Sequence, residues 1–243
     1  MEPLADKIIV VAGGAGEVGE GIVRSMLTKG AKKVIIASRS ASKLAELRRR
    51  LGDRATNRLV SYTANLSIIA DAHAVLESIQ RDHGQVHAVI ASLGGWWQGT
   101  PLHEIPLGTW YTLLDNNLTS HLIVARSFLP LIGHIAGSSY TFINGGAADT
   151  PIAEAGPMSI LSQAQLMMKD VLVQEWAQQP VRINTLLLAT PILTRSRPHG
   201  PDHWLTADEV GAFTAYLVSD RAADVHGQTI RLQGREQVRE VGK

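Results

Sequence analysis

The chain lacks cysteine, and its charges nearly cancel. Without cysteine among its 243 residues, it can form no disulfide, thiol nucleophile or cysteine metal site. Lys and Arg number 23, against 22 for Asp and Glu, so no electrostatic footprint predicts nucleic acid or an anionic membrane as a partner. Because the first strand is predicted to begin near Ile8, we expect no signal peptide and a cytoplasmic protein.

Long apolar runs are also missing. The two most apolar stretches, Leu122–Ile135 and Leu186–Leu193, are interrupted by Arg126 and Pro191. Neither approaches the roughly 20 apolar residues that a membrane-spanning helix needs. The sequence also shows no metal-ligand spacing and no Gly-x-Ser-x-Gly nucleophile motif, so neither of these chemistries is predicted.

What the chain does contain is an alternation of short apolar runs and amphipathic segments. The predicted strands are Ile8–Ala12, Lys33–Ala37, Leu59–Tyr62, Val86–Ala91, Tyr140–Ile143, Val181–Leu187 and Thr229–Leu232. The predicted helices are 18–29, 40–51, 71–81, 110–132, 158–178 and 206–218. This alternation favours a Rossmann-like α/β fold, a doubly wound parallel sheet of about seven strands with helices on both faces. We predict a single domain over residues 1–234 and a polar tail over 235–243.

A glycine-rich loop lies between the first strand and the first helix. Glycines let the backbone approach a pyrophosphate, and the following helix directs its amide groups and positive end at the phosphates. This position after a buried strand favours a dinucleotide site over a ligand-free turn. The loop residues expected to bind are Gly13, Gly14, Gly16, Glu17, Val18 and Gly19. Glu17 lies close to the expected phosphates, and we expect its side chain to face outward.

The residues after the second strand indicate which dinucleotide binds. An acid at this position would bind the ribose hydroxyls of NAD, whereas Ser38 and Arg39 can accept a 2′-phosphate through hydrogen bonds and charge. We therefore predict NADP(H) over NAD(H), although Arg39 could instead be a solvated surface charge. Asn65 and Leu66 follow the third strand and are placed to contact adenine, but an asparagine there could also simply form a turn.

These features resemble the short-chain dehydrogenase/reductase family over nearly the whole chain. The resemblance is carried by the Gly13–Gly16 loop, by Asn117-Leu118, by Val181-Arg-Ile-Asn184 and by the closing segment Gly227–Gly234. It implies an oxidoreductase that assembles as a homodimer or homotetramer through its long helices. It also implies that Asn117 is the active-site asparagine.

The family's catalytic set does not carry over. Its serine falls in Ile143-Asn-Gly-Gly-Ala147, and its tyrosine and lysine fall on Met158 and Ser162. Carbonyl reduction needs a proton for the oxygen, and a phenol beside an ammonium group supplies it near neutral pH. Methionine has no proton to give and serine carries no charge, so standard carbonyl reduction is not expected.

The resemblance also assigns cofactor contacts beyond the glycine loop. The family's Asn-Asn-Ala-Gly segment reads Ala91-Ser92-Leu93-Gly94, and Thr194 stands at the family's threonine position after the sixth strand. We expect Ala91, Ser92, Gly94 and Thr194 to contact the cofactor.

Other residues near the predicted crevice could replace the missing groups. His121 lies one helical turn after Asn117 and is a speculative proton donor, although a packed helical histidine is the simpler interpretation. Asp149, Glu154, His199 and His203 lie in loops and are most simply solvated. Trp96 and Trp97 could wall a substrate pocket for a flat ligand, or they could cover the sheet edge or a subunit contact.

Three functions remain open from the sequence. The first is an NADP(H)-dependent oxidoreductase with an altered active site. The second is a non-catalytic protein that keeps the dinucleotide site for sensing or partner binding, and the third is a non-redox enzyme such as a lyase or isomerase. The small-molecule ligand is unknown.

Overall fold

The strands lie side by side and parallel in one sheet of the computed structural model, which describes residues 3–241. They are β1 Ile8–Ala12, β2 Lys33–Ser38, β3 Leu59–Thr63, β4 Ala88–Ala91, β5 Ser139–Gly145, β6 Arg182–Leu188 and β7 Thr229–Leu232. Their order is β3-β2-β1-β4-β5-β6-β7. This is the doubly wound Rossmann-like sheet that the alternation predicts, with its topological switch between β1 and β4.

Helices connect the strands at nearly the predicted positions. They are α1 Glu17–Thr28, α2 Ala41–Leu51, α3 Ile69–His83, α4 Leu107–Leu114, α5 Ser120–Ile132, α6 Gly156–Glu175, α7 Ala207–Val218 and α8 Arg235–Val241. Two predicted caps are present: the Ser40 hydroxyl accepts a bond from the Lys43 amide at the start of α2, and Thr206 and Glu209 form a capping box on α7. Among the described residues, no helix is long and apolar enough to cross a membrane.

The core has two layers, one on each face of the sheet. Because neighbouring strand residues point to opposite faces, Ile9 and Val11 pack with α1, α2 and α7, whereas Ile8 and Val10 pack with α3 and α5. All five residues of β1 are buried. Burial on both faces explains why this strand is a continuous apolar run.

A π-helical turn, Asp115–Thr119, joins α4 and α5. The sequence predicts one uninterrupted helix over 110–132. A π turn contains one residue more than a regular helical turn, and apolar periodicity does not reveal it. Such turns are frequent at functional sites because they rotate side chains out of the regular helical register. Here the turn carries Asn116 and Asn117.

The C-terminal segment corrects one prediction. Residues from Arg235 were expected to be a polar tail, but Arg235–Val241 forms helix α8, which packs on α7. Val238 is buried in the same core layer as α1 and α7. Two valines, at positions 238 and 241, among charged and polar neighbours give little periodic signal. Residues 242 and 243 of the predicted tail lie outside the described part of the chain.

Candidate functional site

A cleft of about 390 Å³ opens at the carboxyl ends of β1, β2, β3 and β4. This is the edge where doubly wound sheets bind ligands. The predicted site residues that line it are Gly13, Gly16, Ser38, Arg39, Asn65, Leu66, Ser92, Gly94, Trp96 and Asn117. We call the side near Ser38, Arg39 and Ser67 the basic end, and the side near Gly94, Trp96, Asn117 and Ser120 the inner end.

The glycine loop forms the floor of the cleft. Gly13 has a φ of 84°, and a Cβ at this position would collide with the Ser92 carbonyl oxygen. A Cβ at Gly19 would likewise collide with the Gly13 carbonyl oxygen. Both positions therefore require glycine, and α1 begins directly after the loop with its amide groups directed at the cleft. Gly14, Val18 and Gly19 shape this turn but do not line the cleft.

The basic end carries two cations. Arg39 lies just after β2, and its Nη1 donates to Asn116 Oδ1 at 3.1 Å across the cleft. Lys43, in the first turn of α2, lines the same end. No acidic residue lines the cleft in the described part of the chain. Sequence reasoning missed Lys43 and Asn116, although Lys43 is the third residue after the Ser40 cap and so faces back toward the strand end.

Asn65 at the basic end forms a turn as well as lining the cleft. Its Oδ1 accepts bonds from the Ser67 amide at 3.1 Å and from the Ser67 hydroxyl at 2.7 Å. Its backbone amide donates to Asp71 at 2.8 Å. The turn that the sequence left as an alternative is therefore present, and Ser67 joins the lining.

The inner end places the side chain of Asn117 in contacts with the protein itself. Asn117 Oδ1 accepts from the Gly95 amide at 3.0 Å, and Nδ2 donates to the Leu113 carbonyl at 3.0 Å. Gly94 has a φ of 93°, and a Cβ there would collide with Asn117 Oδ1. Asn117 therefore braces the turn after β4.

Gln165 supports Asn117 from α6 and was missed by the sequence analysis. This buried side chain donates through Nε2 to the Asn117 carbonyl at 2.5 Å. Its Oε1 is buried and has no hydrogen-bond partner. Its only sequence signal is its place two helical turns after Met158.

Met158 and Ser162, which the resemblance aligns with the family's tyrosine and lysine, do not line the cleft. Met158 is 4% exposed and packs in an apolar cluster with Leu113 and Leu161. Ser162 is half-buried, and its carbonyl accepts a bond from Asn144 Nδ2 at 2.8 Å. Neither side chain offers an acidic proton or a charge to the inner end.

The two adjacent tryptophans separate. Trp96 is 58% exposed and lines the inner end. Trp97 instead packs against the apolar cluster that contains Met158. Of the alternatives left open for this pair, a pocket wall fits Trp96, whereas Trp97 does not line the cleft.

His121 is a packed residue and does not reach the cleft. It is fully buried, its ring stacks on Phe142 with centroids 5.8 Å apart, and Nε2 lies 3.4 Å from the Leu93 carbonyl. Desolvation lowers its pKa to about 4, and the bond to Leu93 opposes this only in part. The speculation that His121 donates a proton is therefore not supported, since the ring is neutral near pH 7 and shielded.

The remaining candidate donors lie elsewhere on the surface. Asp149 forms a two-pronged ion pair with Arg231, at 2.6 and 2.9 Å, and this bond is the main reason that the pKa of Asp149 is lowered. Glu154, His199 and His203 are exposed, and none of them lines the cleft.

The Glu17 side chain turns away from the cleft, as expected. It does not extend into solvent, because it is bonded to the segment after β6. Its carboxylate accepts from the hydroxyls of Thr194 and Ser196, each at 2.5 Å, and pairs with Arg195 at 3.3 Å. Burial alone would raise the pKa of Glu17, but these bonds and the charge of Arg195 outweigh it and lower the pKa. Thr194, expected to contact a cofactor, lines a separate 200 Å³ pocket with Glu17. Ala91 is buried in the sheet.

The two ends differ in how well they fit a dinucleotide. The glycine floor and the Arg39 and Lys43 cations suit the phosphates and ribose of an adenosine half. Beyond Asn117, the inner end has no cation and no acidic proton among the residues that the structure describes, and Thr194 is already bonded. The residues therefore fit one half of the ligand and not the other.

Comparisons with known proteins agree with this fold. The family model for short chain dehydrogenase matches residues 7–197. The chain is 22% identical to D-threitol dehydrogenase of Mycolicibacterium smegmatis, over 95% of this chain and 93% of that protein. It is 27% identical to 2,3-dihydroxy-2,3-dihydro-p-cumate dehydrogenase of Pseudomonas putida, over 96% and 95%.

Solved structures are similar over almost the full length. A short-chain type dehydrogenase/reductase from Mycobacterium ulcerans superposes with a TM-score of 0.87 at 20% identity, covering 97% of this chain and 91% of that one. A short chain dehydrogenase structure from Shigella flexneri 2a, complexed with NADP, gives 0.86 at 19% identity, covering 96% and 99%. At these identities the likeness establishes the fold.

Proposed function

Because the chain belongs to the short-chain dehydrogenase family, we propose that it binds NADP(H) in the cleft, in preference to NAD(H). The observation that carries the proposal is the basic end, where Arg39 and Lys43 line the cleft beside Ser38 without any acidic lining residue among residues 3–241. A cationic pair and a hydroxyl group suit a 2′-phosphate, whereas NAD selection uses a carboxylate at this strand end.

We propose further that standard carbonyl reduction is altered or lost. Met158 and Ser162 cannot form the phenol and ammonium pair, and the Asn117 amide is occupied by Gly95 and Leu113. General acid–base catalysis contributes roughly 10²–10⁴-fold to such reactions. A hydride could still be transferred, but no group at these positions would protonate the oxygen.

Calorimetric titration with NADPH and NADH tests the cofactor assignment. We expect NADPH to bind at least tenfold more tightly, and Arg39→Asp to reverse the preference. The matched control is Arg49→Asp on α2, since the Arg49 side chain is 79% exposed and does not line the cleft. Equal affinity for both coenzymes in the native protein would contradict the assignment.

NADPH consumption across a panel of aldehydes, ketones and enones tests the second proposal. With binding confirmed by calorimetry, we expect rates indistinguishable from the protein-free background. Turnover of any simple carbonyl at more than a hundred times that background would show that a proton donor exists and would overturn the proposal.

The main alternative is a non-catalytic protein that uses the nucleotide site for sensing or partner binding. The apolar packing around Met158 favours it, because the tyrosine position has become part of a core. Substituting Met158→Tyr together with Ser162→Lys should then leave nucleotide affinity within about threefold. A large loss of affinity in a folded variant would argue that these positions contribute directly.

A homodimer or homotetramer is also proposed. Leu107 and Tyr111 on α4 and Met167 on α6 are 67%, 58% and 63% exposed, and an interface between copies of the long helices would cover such side chains. Light scattering should report at least a dimer, and Met167→Glu should shift it toward monomer.

A cytoplasmic location stays a prediction that cell fractionation would test.

A further inference from the structure

Four residues form a latch between α1 and the segment after β6. Glu17, at the first position of α1, binds Thr194, Arg195 and Ser196. Arg195 also reaches Glu20, a buried acid that is paired with Arg24 and Arg50. The latch therefore joins two segments nearly 180 residues apart in the chain, and each of its three segment residues contributes a donor.

The latch uses groups that would otherwise be available to a ligand. A helix N-terminus attracts anions, and in this chain the carboxylate of Glu17 already lies there. The hydroxyls of Thr194 and Ser196 donate to this carboxylate. Both Glu17 and Thr194 line a separate 200 Å³ pocket, which shares no lining residue with the cleft.

The residues that line the cleft lie on the β1 to β4 side of the sheet. This lining comes from the ends of β1 to β4, from the glycine loop, from the first turn of α2 and from the α4–α5 turn. Among the described residues, none from the ends of β5 or β6 contributes to it. In a doubly wound sheet the adenosine half lies on the β2 side of the switch point, so the second half of a dinucleotide would extend toward β5 and β6.

We infer that the cleft is a site for the adenosine 2′-phosphate half of a dinucleotide, and that the Glu17 latch withholds the binding groups for the nicotinamide half. This inference rests on the proposed NADP(H) binding and specifies it. The ligand class is a nucleotide with phosphates at the 2′ and 5′ positions of adenosine. Such a protein responds to the total concentration of 2′-phosphorylated dinucleotide and not to its reduced fraction.

The first experiment compares three ligands by calorimetry on the full-length native protein: adenosine 2′,5′-bisphosphate, NADP⁺ and NADPH. We expect the three Kd values to agree within about threefold. If NADPH binds at least tenfold more tightly than the bisphosphate, the proposed function stands and the inference is wrong. If none of the three binds, the proposed function fails and the inference falls with it.

The second experiment opens the latch with Glu17→Ala. The readout is the Kd of the bisphosphate divided by the Kd of NADPH, because removing a negative charge near the phosphates tightens both ligands but cancels in the ratio. We expect the ratio to rise from about one to about ten, as Thr194 and Ser196 become available. A ratio that stays at one in the folded variant overturns the role of the latch.

Ser196→Ala provides a second route that changes no charge. It removes one of the two hydroxyl donors to Glu17 and so weakens the contact between α1 and the segment, while α1 keeps its carboxylate and Thr194 is the hydroxyl left for the nicotinamide half. We expect the ratio to rise by about threefold, with unchanged bisphosphate affinity. If Glu17→Ala fails to fold, Ser196→Ala tests the latch in its place. An unchanged ratio of the two Kd values in Ser196→Ala would contradict the role of the latch.

Discussion

At the basic end of the cleft, Arg39 and Lys43 extend from β2 and α2 and contact no carboxylate in the lining. At the inner end, Asn117 is bonded through its side chain to Gly95 and Leu113, and through its carbonyl to Gln165. Both ends are polar in sequence. They differ in how far their polar groups are already bonded: the Arg39 guanidinium makes one bond, to Asn116, whereas both polar atoms of the Asn117 side chain are bonded within the protein.

The difference shows that the residue type at a position does not by itself establish the role of its side chain. The resemblance assigns Asn117 to the family's asparagine position, and in the structure its amide holds the protein's own turn together. A buried polar group costs free energy unless it is hydrogen-bonded. The internal bonds of Asn117 meet this requirement and stabilise the turn after β4.

The largest effect is expected at the floor that both ends share. Gly13→Ala places a methyl group against the Ser92 carbonyl and forces alanine into a positive φ. We expect a loss of about 4 kcal/mol in the free energy of unfolding, since strain and displacement of β4 add. Urea denaturation measures it.

Gly95→Ala is the matched control, because no atom lies within 4 Å of a Cβ built at Gly95. It should change stability by less than about 0.5 kcal/mol. Similar losses of stability in both variants would mean that the close approach of Gly13 to the Ser92 carbonyl is not what makes Gly13→Ala destabilising.

The buried His121, one helical turn after Asn117, gives the free energy of unfolding a pH dependence. Its folded pKa of about 4 lies below the ordinary value of 6.5, so the unfolded chain binds a proton that the folded chain does not. Stability is therefore complete above pH 6.5 and falls as the pH drops toward 4, by about 3 kcal/mol from this residue. Urea midpoints at pH 7.0 and 4.5 measure the slope.

A histidine-to-glutamine pair isolates this contribution. His121→Gln should flatten the slope between pH 6.5 and 4, whereas His103→Gln should leave it unchanged, since the side chain of His103 is 80% exposed. An equal slope in the native protein and in His121→Gln would show that another group controls it.

The next effect is expected at Gln165, where substitution should lower the free energy of unfolding by about 2 kcal/mol. Gln165→Met keeps the volume but removes the bond that Nε2 donates to the Asn117 carbonyl, and the loss of a buried hydrogen-bond partner costs about 1–3 kcal/mol. Gln163→Met, at an exposed position of the same helix, should be nearly neutral. Equal stability of the two variants would mean that Gln165 does not support the Asn117 turn.

The smallest effect is expected at the basic end. Lys43→Ala removes one of two cations facing the cleft and should weaken NADPH binding about fivefold, with NADH affinity nearly unchanged. Arg49→Ala on the same helix should change neither affinity. Equal weakening of both coenzymes by Lys43→Ala would place Lys43 away from the 2′-phosphate.

The sheet and the position of the cleft could be predicted because they depend on local patterns. Continuous apolar runs such as β1 indicate strands buried on both faces, and the glycine loop follows directly after one. The hydrogen bonds of Glu17 could not be predicted, because its partners lie in a segment far along the chain. The role of Gln165 was equally hidden, since helical periodicity does not say which buried amide meets which carbonyl. The π turn at Asn117 also leaves no periodic signal.

Ligand-observed saturation-transfer NMR on NADP⁺ tests the central claim most directly, because one spectrum reports on both halves of the same molecule. The account predicts strong transfer from the protein to the adenine protons H2 and H8, and transfer to the nicotinamide ring protons at less than about a third of that level. Equal transfer to both rings would contradict it.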